Sequence, residues 1–225
     1  MRIEAEKTRR AFQIGRDCGL FRVPKVLDYD EANGILVFER IDGIHPISST
    51  IRRCPSIVER VGRSLAIIHQ NLFLPESMKI PLPSEFALAG TEVFLHGDFN
   101  GCNVCLHPCS KSIVIIDWQM TSRHGGRATY GSRYFDLIWF INYMLWKPSV
   151  SNLFHDPVSP VAKLLLESYL CQAGVPYDSA RIEQYAKNFF SVKLPLRKAQ
   201  NGWKARTLIH RSNALTQKFI KSLRE

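Results

Sequence analysis

Apolar positions follow two different periods along this chain, and the changes between them mark its elements. Glu4, Thr8, Ala11, Phe12 and Gly15 recur at three- and four-residue intervals, which predicts one face of a helix ending before Pro24. Two extended runs follow, Val23 to Leu27 and Gly34 to Ile41. Farther on, Val93-Phe94-Leu95, Val104-Cys105-Leu106 and Ser112 to Ile116 read as three strands. A polar loop separates the first two, and His107-Pro108-Cys109-Ser110-Lys111 turns between the last two. The run from Leu137 to Trp146, bounded by Asp136 and Lys147, is too short to span a bilayer and predicts a buried core helix. No transmembrane segment is expected, and the charged amphipathic start does not resemble a signal peptide.

The strand, loop, strand, turn, strand pattern frames the candidate chemistry. Its loop reads His96-Gly97-Asp98-Phe99-Asn100-Gly101-Cys102-Asn103, and Asp117 closes the apolar run that returns from the turn. A hairpin of this kind brings Asp117 back beside Asn103. One carboxylate able to take a hydroxyl proton, an amide five residues on and a second carboxylate after a strand suit metal-assisted phosphoryl transfer. That chemistry needs little covalent help; it needs an aligned acceptor and magnesium held against a nucleotide's phosphates. Asp98 fits the first task. Magnesium prefers hard oxygen donors and keeps several waters, so the Asn103 amide oxygen and the Asp117 carboxylate suffice as its ligands.

These residues resemble the catalytic segment of the aminoglycoside phosphotransferase and choline kinase family, whose fold is that of the protein kinases. The resemblance covers residues 3 to 146 and includes other matches in order. Val23 to Leu27 and Gly34 to Gly43 are similar to the strand, strand and hinge that join two lobes, and Leu65 to His69 to the helix before the catalytic loop. Asp136-Leu137 resembles the start of a buried helix whose aspartate braces that loop. The resemblance implies an α+β, protein-kinase-like two-lobed fold. Residues 1–41 would be a remnant of the nucleotide-binding lobe, with a helix, two strands and the hinge. Residues 42–225 would form the mainly helical lobe, carrying the catalytic loop and the acceptor site. It further implies that His96 orders the loop in support of Asp98, and that the Glu39 carbonyl and Ile41 amide meet a nucleotide base with Phe38 behind it. Glu4 is the candidate for the glutamate that holds a phosphate-binding lysine. That lysine, and the three strands that carry it in the family, are not found ahead of the first helix, so the nucleotide lobe is expected to be truncated. Lys7 lies on the same helix as Glu4 and is not expected to be its partner.

Length and charge bound the partners. The 225 residues suffice for a substantial core. Residues 1–117 hold 14 acids and 14 Lys or Arg, whereas residues 118–225 hold 6 acids and 16 bases, so the whole net charge of +10 lies in the second part. From Ser191 onward the bases run Lys193, Arg197, Lys198, Lys204, Arg206, Arg211, Lys218, Lys221 and Arg224, a pattern most often found on a solvated helix face. An anionic acceptor, peripheral contact with an acidic membrane surface and nucleic acid stay open as partners. Nucleic acid has only this tail, with Trp203 and His210, to support it. Arg123, Arg127 and Arg133 follow the magnesium aspartate where an acceptor would approach, and guanidinium groups suit phosphate or carboxylate oxygens.

The expectation is therefore a small-molecule O-phosphotransferase, an aminoglycoside phosphotransferase-like kinase. It would use ATP or GTP with magnesium and act on a neutral or anionic hydroxyl compound, its activity depending on the missing strands. A catalytically dead kinase-like binding protein and a basic-surface interaction module are the alternatives. The cluster Cys102, Cys105, His107 and Cys109 is scattered by extended spacing and does not suit zinc. Without a secretion signal, the six cysteines are expected to be free buried thiols in a reducing cytoplasm.

Overall fold

The computed structural model describes residues 1–47, 51, 54–107, 109–120, 126–146, 158–200 and 206–224. The first helix, α1 (Arg2–Cys18), stops at Gly19, whose φ of 66° is the left-handed cap that glycine adopts without strain. It buries Thr8, Ala11 and Gly15 of the predicted stripe together with Ala5 and Lys7, while Glu4 and Phe12 of that stripe are half-buried. A short strand, β1 (Phe21–Arg22), follows, and then the antiparallel hairpin β2 (Val26–Asp30) and β3 (Ile35–Phe38). Leu27 and Ile35 on this hairpin are more than half exposed.

The strands around the loop from His96 to Asn103 belong to two sheets. β6 (Val104–Leu106) and β7 (Ile113–Ile115) pair antiparallel, with Val104 opposite Ile115, as the hairpin reading expects. This hairpin is flanked by β1, parallel to β7, and by β4 (His45–Pro46), antiparallel to β6. One sheet thus runs across residue 41, the expected lobe boundary. β5 (Glu92–Phe94) leads into the loop but pairs with β8 (Tyr130–Ser132), a partner that the pattern of local alternation did not reveal.

Five further α-helices lie among the described residues: α2 (Pro55–Asn71), α3 (Tyr134–Trp146), α4 (Val158–Ala173), α5 (Ser179–Gln200) and α6 (Arg206–Ser222). α2 packs chiefly on α4. Gly62 allows that approach, because a Cβ there would lie 2.7 Å from the Leu165 carbonyl oxygen. α3 is the expected core helix, with Leu137, Ile138, Phe140, Ile141 and Leu145 fully buried. Among the described residues no helix is long and apolar enough to cross a membrane.

The two remaining expectations meet mixed outcomes. All six cysteines are free, but only Cys105 is buried; Cys102, Cys109 and Cys171 are exposed. Burial in this sheet raises the Cys105 thiol to about 11. In the basic run, Lys218 and Lys221 face solvent, whereas Lys193 is 4% exposed and lies over the ring of Trp139 at 4.8 Å. An aromatic face attracts a cation and its methylene stem packs like an apolar chain, so this lysine is not part of a solvated face. Trp203 and Lys204 lie outside the described residues.

Candidate active site

The loop from His96 to Asn103 is fixed from behind by a buried polar network. Asp136, in the first turn of α3, is fully buried and accepts the His96 amide at 2.8 Å and the Gly97 amide at 2.9 Å. His69 of α2 donates from Nε2 to the same carboxylate at 3.0 Å, and its Nδ1 lies 2.8 Å from the Tyr169 hydroxyl of α4. Burial alone would raise the Asp136 carboxyl, but the His69 hydrogen bond, the neighbouring imidazoles and the Gly97 amide hold it below its ordinary value. Gly97 has a φ of 93°, and a Cβ there would lie 3.0 to 3.3 Å from Met120 atoms. No other residue type fits that turn without strain.

His96 is entirely buried against Trp118, ring centroids 4.5 Å apart. Its Nε2 donates to the Ile116 carbonyl at 3.2 Å and its Nδ1 accepts the Asp98 amide at 3.2 Å, the pattern of a neutral imidazole. Desolvation lowers its pKa to about 3. It ties the loop to the end of β7.

Lys7 is the residue that sequence reasoning passed over. Its side chain is buried to 1% exposure, and Nζ donates to the His96 carbonyl at 2.5 Å. Desolvation lowers its pKa to about 8, opposed by the charges of Asp136, Glu4, Asp117 and Asp98. Position 7 lies three residues after Glu4 and four before Ala11, so the face read from Glu4 to Gly15 already included it. A lysine on an otherwise inward stripe was the available signal. Glu4 is half-buried, and its carboxyl is raised mainly by desolvation, with the charge of Asp117 adding to that.

In front of this network, Asp98, Asn103 and Asp117 come together. Asn103 Nδ2 donates to the Asp98 carbonyl and to Asp98 Oδ2, each at 2.9 Å, and reaches Asp117 Oδ2 at 3.5 Å. Asp98 Oδ1 accepts from Trp139 Nε1 at 2.7 Å and from Asn100 Nδ2 at 3.0 Å. Burial raises the Asp98 carboxyl, the Trp139 and Asn100 bonds oppose this, and the Asp117 charge adds to it. Asp117 is exposed and sits at φ 58°, a left-handed conformation that aspartate tolerates better than most residues. That turn lets Trp118 go inward while the carboxylate stays out.

The other candidates are placed apart from this group. Phe38 ends β3 at 37% exposure, and Glu39 and Ile41 follow outside the strand, half-buried. The Glu39 amide donates to the Lys25 carbonyl at 2.8 Å, and its carboxylate lies 3.5 Å from Arg22. Arg133 donates from its amide and from Nε to the Thr91 carbonyl, at 2.9 and 3.4 Å, and its charge partly offsets the rise that burial gives the Tyr169 hydroxyl. It is thus engaged at the junction of β5, β8 and α4. Arg127 is exposed, and Arg123 lies outside the described residues.

The class that this fold and loop suggest is matched in sequence. Residues 73–157 match the sequence model of the phosphotransferase enzyme family (APH), a segment holding the whole catalytic loop, Asp117 and Asp136. Over nearly its full length the chain is similar to a crystal structure of a choline/ethanolamine kinase family protein from Mesorhizobium loti. That likeness has a TM-score of 0.59 at 15% identity, covering 98% of this chain and 82% of the other, and it shows the protein-kinase-like α+β fold. An ethanolamine kinase from Plasmodium vivax aligns with a TM-score of 0.48 at 11% identity, over 96% of this chain and 74% of that one. The chain is also 28% identical over 109 residues to a protein of Arabidopsis thaliana named "Probable acyl-CoA dehydrogenase IBR3". The match takes in 46% of this chain and 13% of the plant protein.

Proposed function

We propose that this protein is a small-molecule phosphotransferase that moves the terminal phosphoryl of ATP or GTP to a hydroxyl of a neutral or anionic acceptor. The observation that carries this reading is the convergence of Asp98 and Asp117 on the side-chain nitrogen of Asn103. With that nitrogen engaged, the amide oxygen is the Asn103 atom suited to a hard cation. Asp117 adds an exposed carboxylate beside it, so the donor set fits magnesium. Bound there, magnesium would neutralise charge on the nucleotide's phosphates.

Asp98 takes the acceptor's hydroxyl proton as the acceptor oxygen bonds to the terminal phosphorus, and the bridging oxygen leaves with the nucleoside diphosphate. Its raised pKa suits a proton acceptor better than an ordinary carboxylate's would. His96, neutral and sealed in, orders the loop. Phe38, Glu39 and Ile41 are assigned to the nucleotide base, in a nucleotide lobe made of residues 1–41. Glu4 sits at the inner edge of the site as a carboxylate that Lys7 balances through its charge. Arg127 is left as the described arginine free to meet an anionic acceptor group, with Arg123 as its neighbour in sequence.

The test is Asp98→Asn. Nucleotide binding with magnesium, followed by calorimetry, should persist while turnover falls by about a hundredfold or more, as the loss of a positioned base commonly causes. Parallel loss of binding and turnover would make Asp98 a structural residue. Magnesium-dependent binding without turnover in the unaltered protein would favour a kinase-like binding protein.

A further inference from the structure

Among the described residues, Asp98 is held by two groups of its own loop and by one residue from outside it. Asn100 and Asn103 move with the loop, but Trp139 belongs to α3, whose neighbouring positions Leu137, Ile138, Phe140 and Ile141 are fully buried. The indole N–H donates to Asp98 Oδ1 at 2.7 Å, the shortest of the three side-chain bonds to that carboxylate. Trp139 also lies three residues after Asp136, on the same helix face. One face of α3 therefore fixes the loop backbone through Asp136 and its carboxylate through Trp139.

We infer that Trp139 is a positioning residue for phosphotransfer, setting the rotation of the Asp98 carboxylate from the rigid frame of α3. The inference rests on the function proposed above. A carboxylate on its own turns about the bond to its Cβ, and a proton acceptor is effective only when an oxygen points at the arriving hydroxyl. An indole N–H can only donate, so it selects one oxygen and leaves the other to Asn103 and the acceptor side. Lys193 of α5 strengthens the arrangement. Its ammonium sits 4.8 Å from the Trp139 ring centroid and 5.8 Å from those of Phe86 and Phe189. A cation over the ring face holds the indole plane and draws electron density from it, making the N–H a better donor.

The test compares Trp139→Phe with Asp98→Asn, using MgATP with water as acceptor and the release of ADP and phosphate as the readout. Trp139→Phe should lower kcat by about tenfold to a hundredfold with KM for MgATP unchanged, because the base is misaligned and the nucleotide site is not. A merely structural role would move KM and thermal stability along with kcat. Wild-type kcat in Trp139→Phe beside an impaired Asp98→Asn overturns this inference alone. An unimpaired Asp98→Asn, or a wild type that binds MgATP without hydrolysing it, overturns the phosphotransfer reading and this inference with it. The contact is also read without turnover. Among the indole resonances of the four tryptophans in a nitrogen-15 spectrum, the one missing from Trp139→Phe should shift in Asp98→Asn. A resonance that Asp98→Asn leaves in place overturns the inference whatever the kinetics show.

Discussion

The two sides of the catalytic loop are built on opposite principles. Behind it, Asp136, His69, Tyr169, His96 and Lys7 are buried and joined by hydrogen bonds, and their charges are balanced within the protein. In front, Asp98 and Asp117 oppose one another, Asp117 is exposed, and its backbone adopts a left-handed turn. A satisfied buried network in low dielectric specifies a single arrangement. Two carboxylates that repel one another, one of them exposed, leave charge for a cation to meet. The contrast teaches that the rear of the loop holds geometry, so that the front can carry repulsion.

The largest effect should come from breaking the rear. Asp136→Ala strands two loop amides and His69 in the interior, and losing one partner of a buried network of this kind costs about 3 to 5 kcal/mol. Thermal unfolding should begin about 10 °C lower, and circular dichroism would follow it. An unshifted transition would mean that the loop is held by something else. At the front, Asp117→Ala should cost only about 1 kcal/mol of stability, from placing alanine in a left-handed turn, since the carboxylate is exposed, while magnesium-dependent nucleotide binding disappears from calorimetry. Equal binding by both proteins would remove the metal role.

Lys7 gives a smaller, pH-dependent contrast. Its folded pKa of about 8 lies below the ordinary 10.5, so between these values the unfolded chain binds more protons and folding strengthens as pH rises. The cost of burying the charged amine is fully present below about pH 8 and is relieved toward pH 10.5. Urea unfolding of the wild type should gain about 1 to 3 kcal/mol over that window relative to Lys7→Met. Parallel pH profiles would show that the amine titrates normally.

The rear and front also differ in how far they were legible. The candidate catalytic residues lie in one short stretch, and the strand pattern around them placed Asn103 next to Asp117 because a tight hairpin is a local structure. The helix stripe at the start and the buried run after Asp136 were read from period and apolarity for the same reason. The pairing of β5 with β8, of β1 with β7, and of Arg133 with Thr91 joins residues far apart in the chain, which no local pattern encodes. Lys193 stands in a run of bases whose pattern is that of a solvated face; its burial depends on the aromatic rings that α3 and α5 bring together.

By itself the sequence determined the loop from His96 to Asn103, the hairpin after it and the charge imbalance between the two parts of the chain, and its motifs carried the resemblance that implied the α+β kinase-like class. The hairpin, the loop and the imbalance are properties of composition, period and near neighbours. Only the tertiary structure decided which side chains turn inward: that Lys7 grips the loop from α1, that His69 and Tyr169 complete the support of Asp136, and that Trp139 reaches Asp98. A helix fixes the spacing of its residues, but what lies opposite each face depends on packing with distant elements, and the desolvation that shifts their charges exists only once that packing has formed.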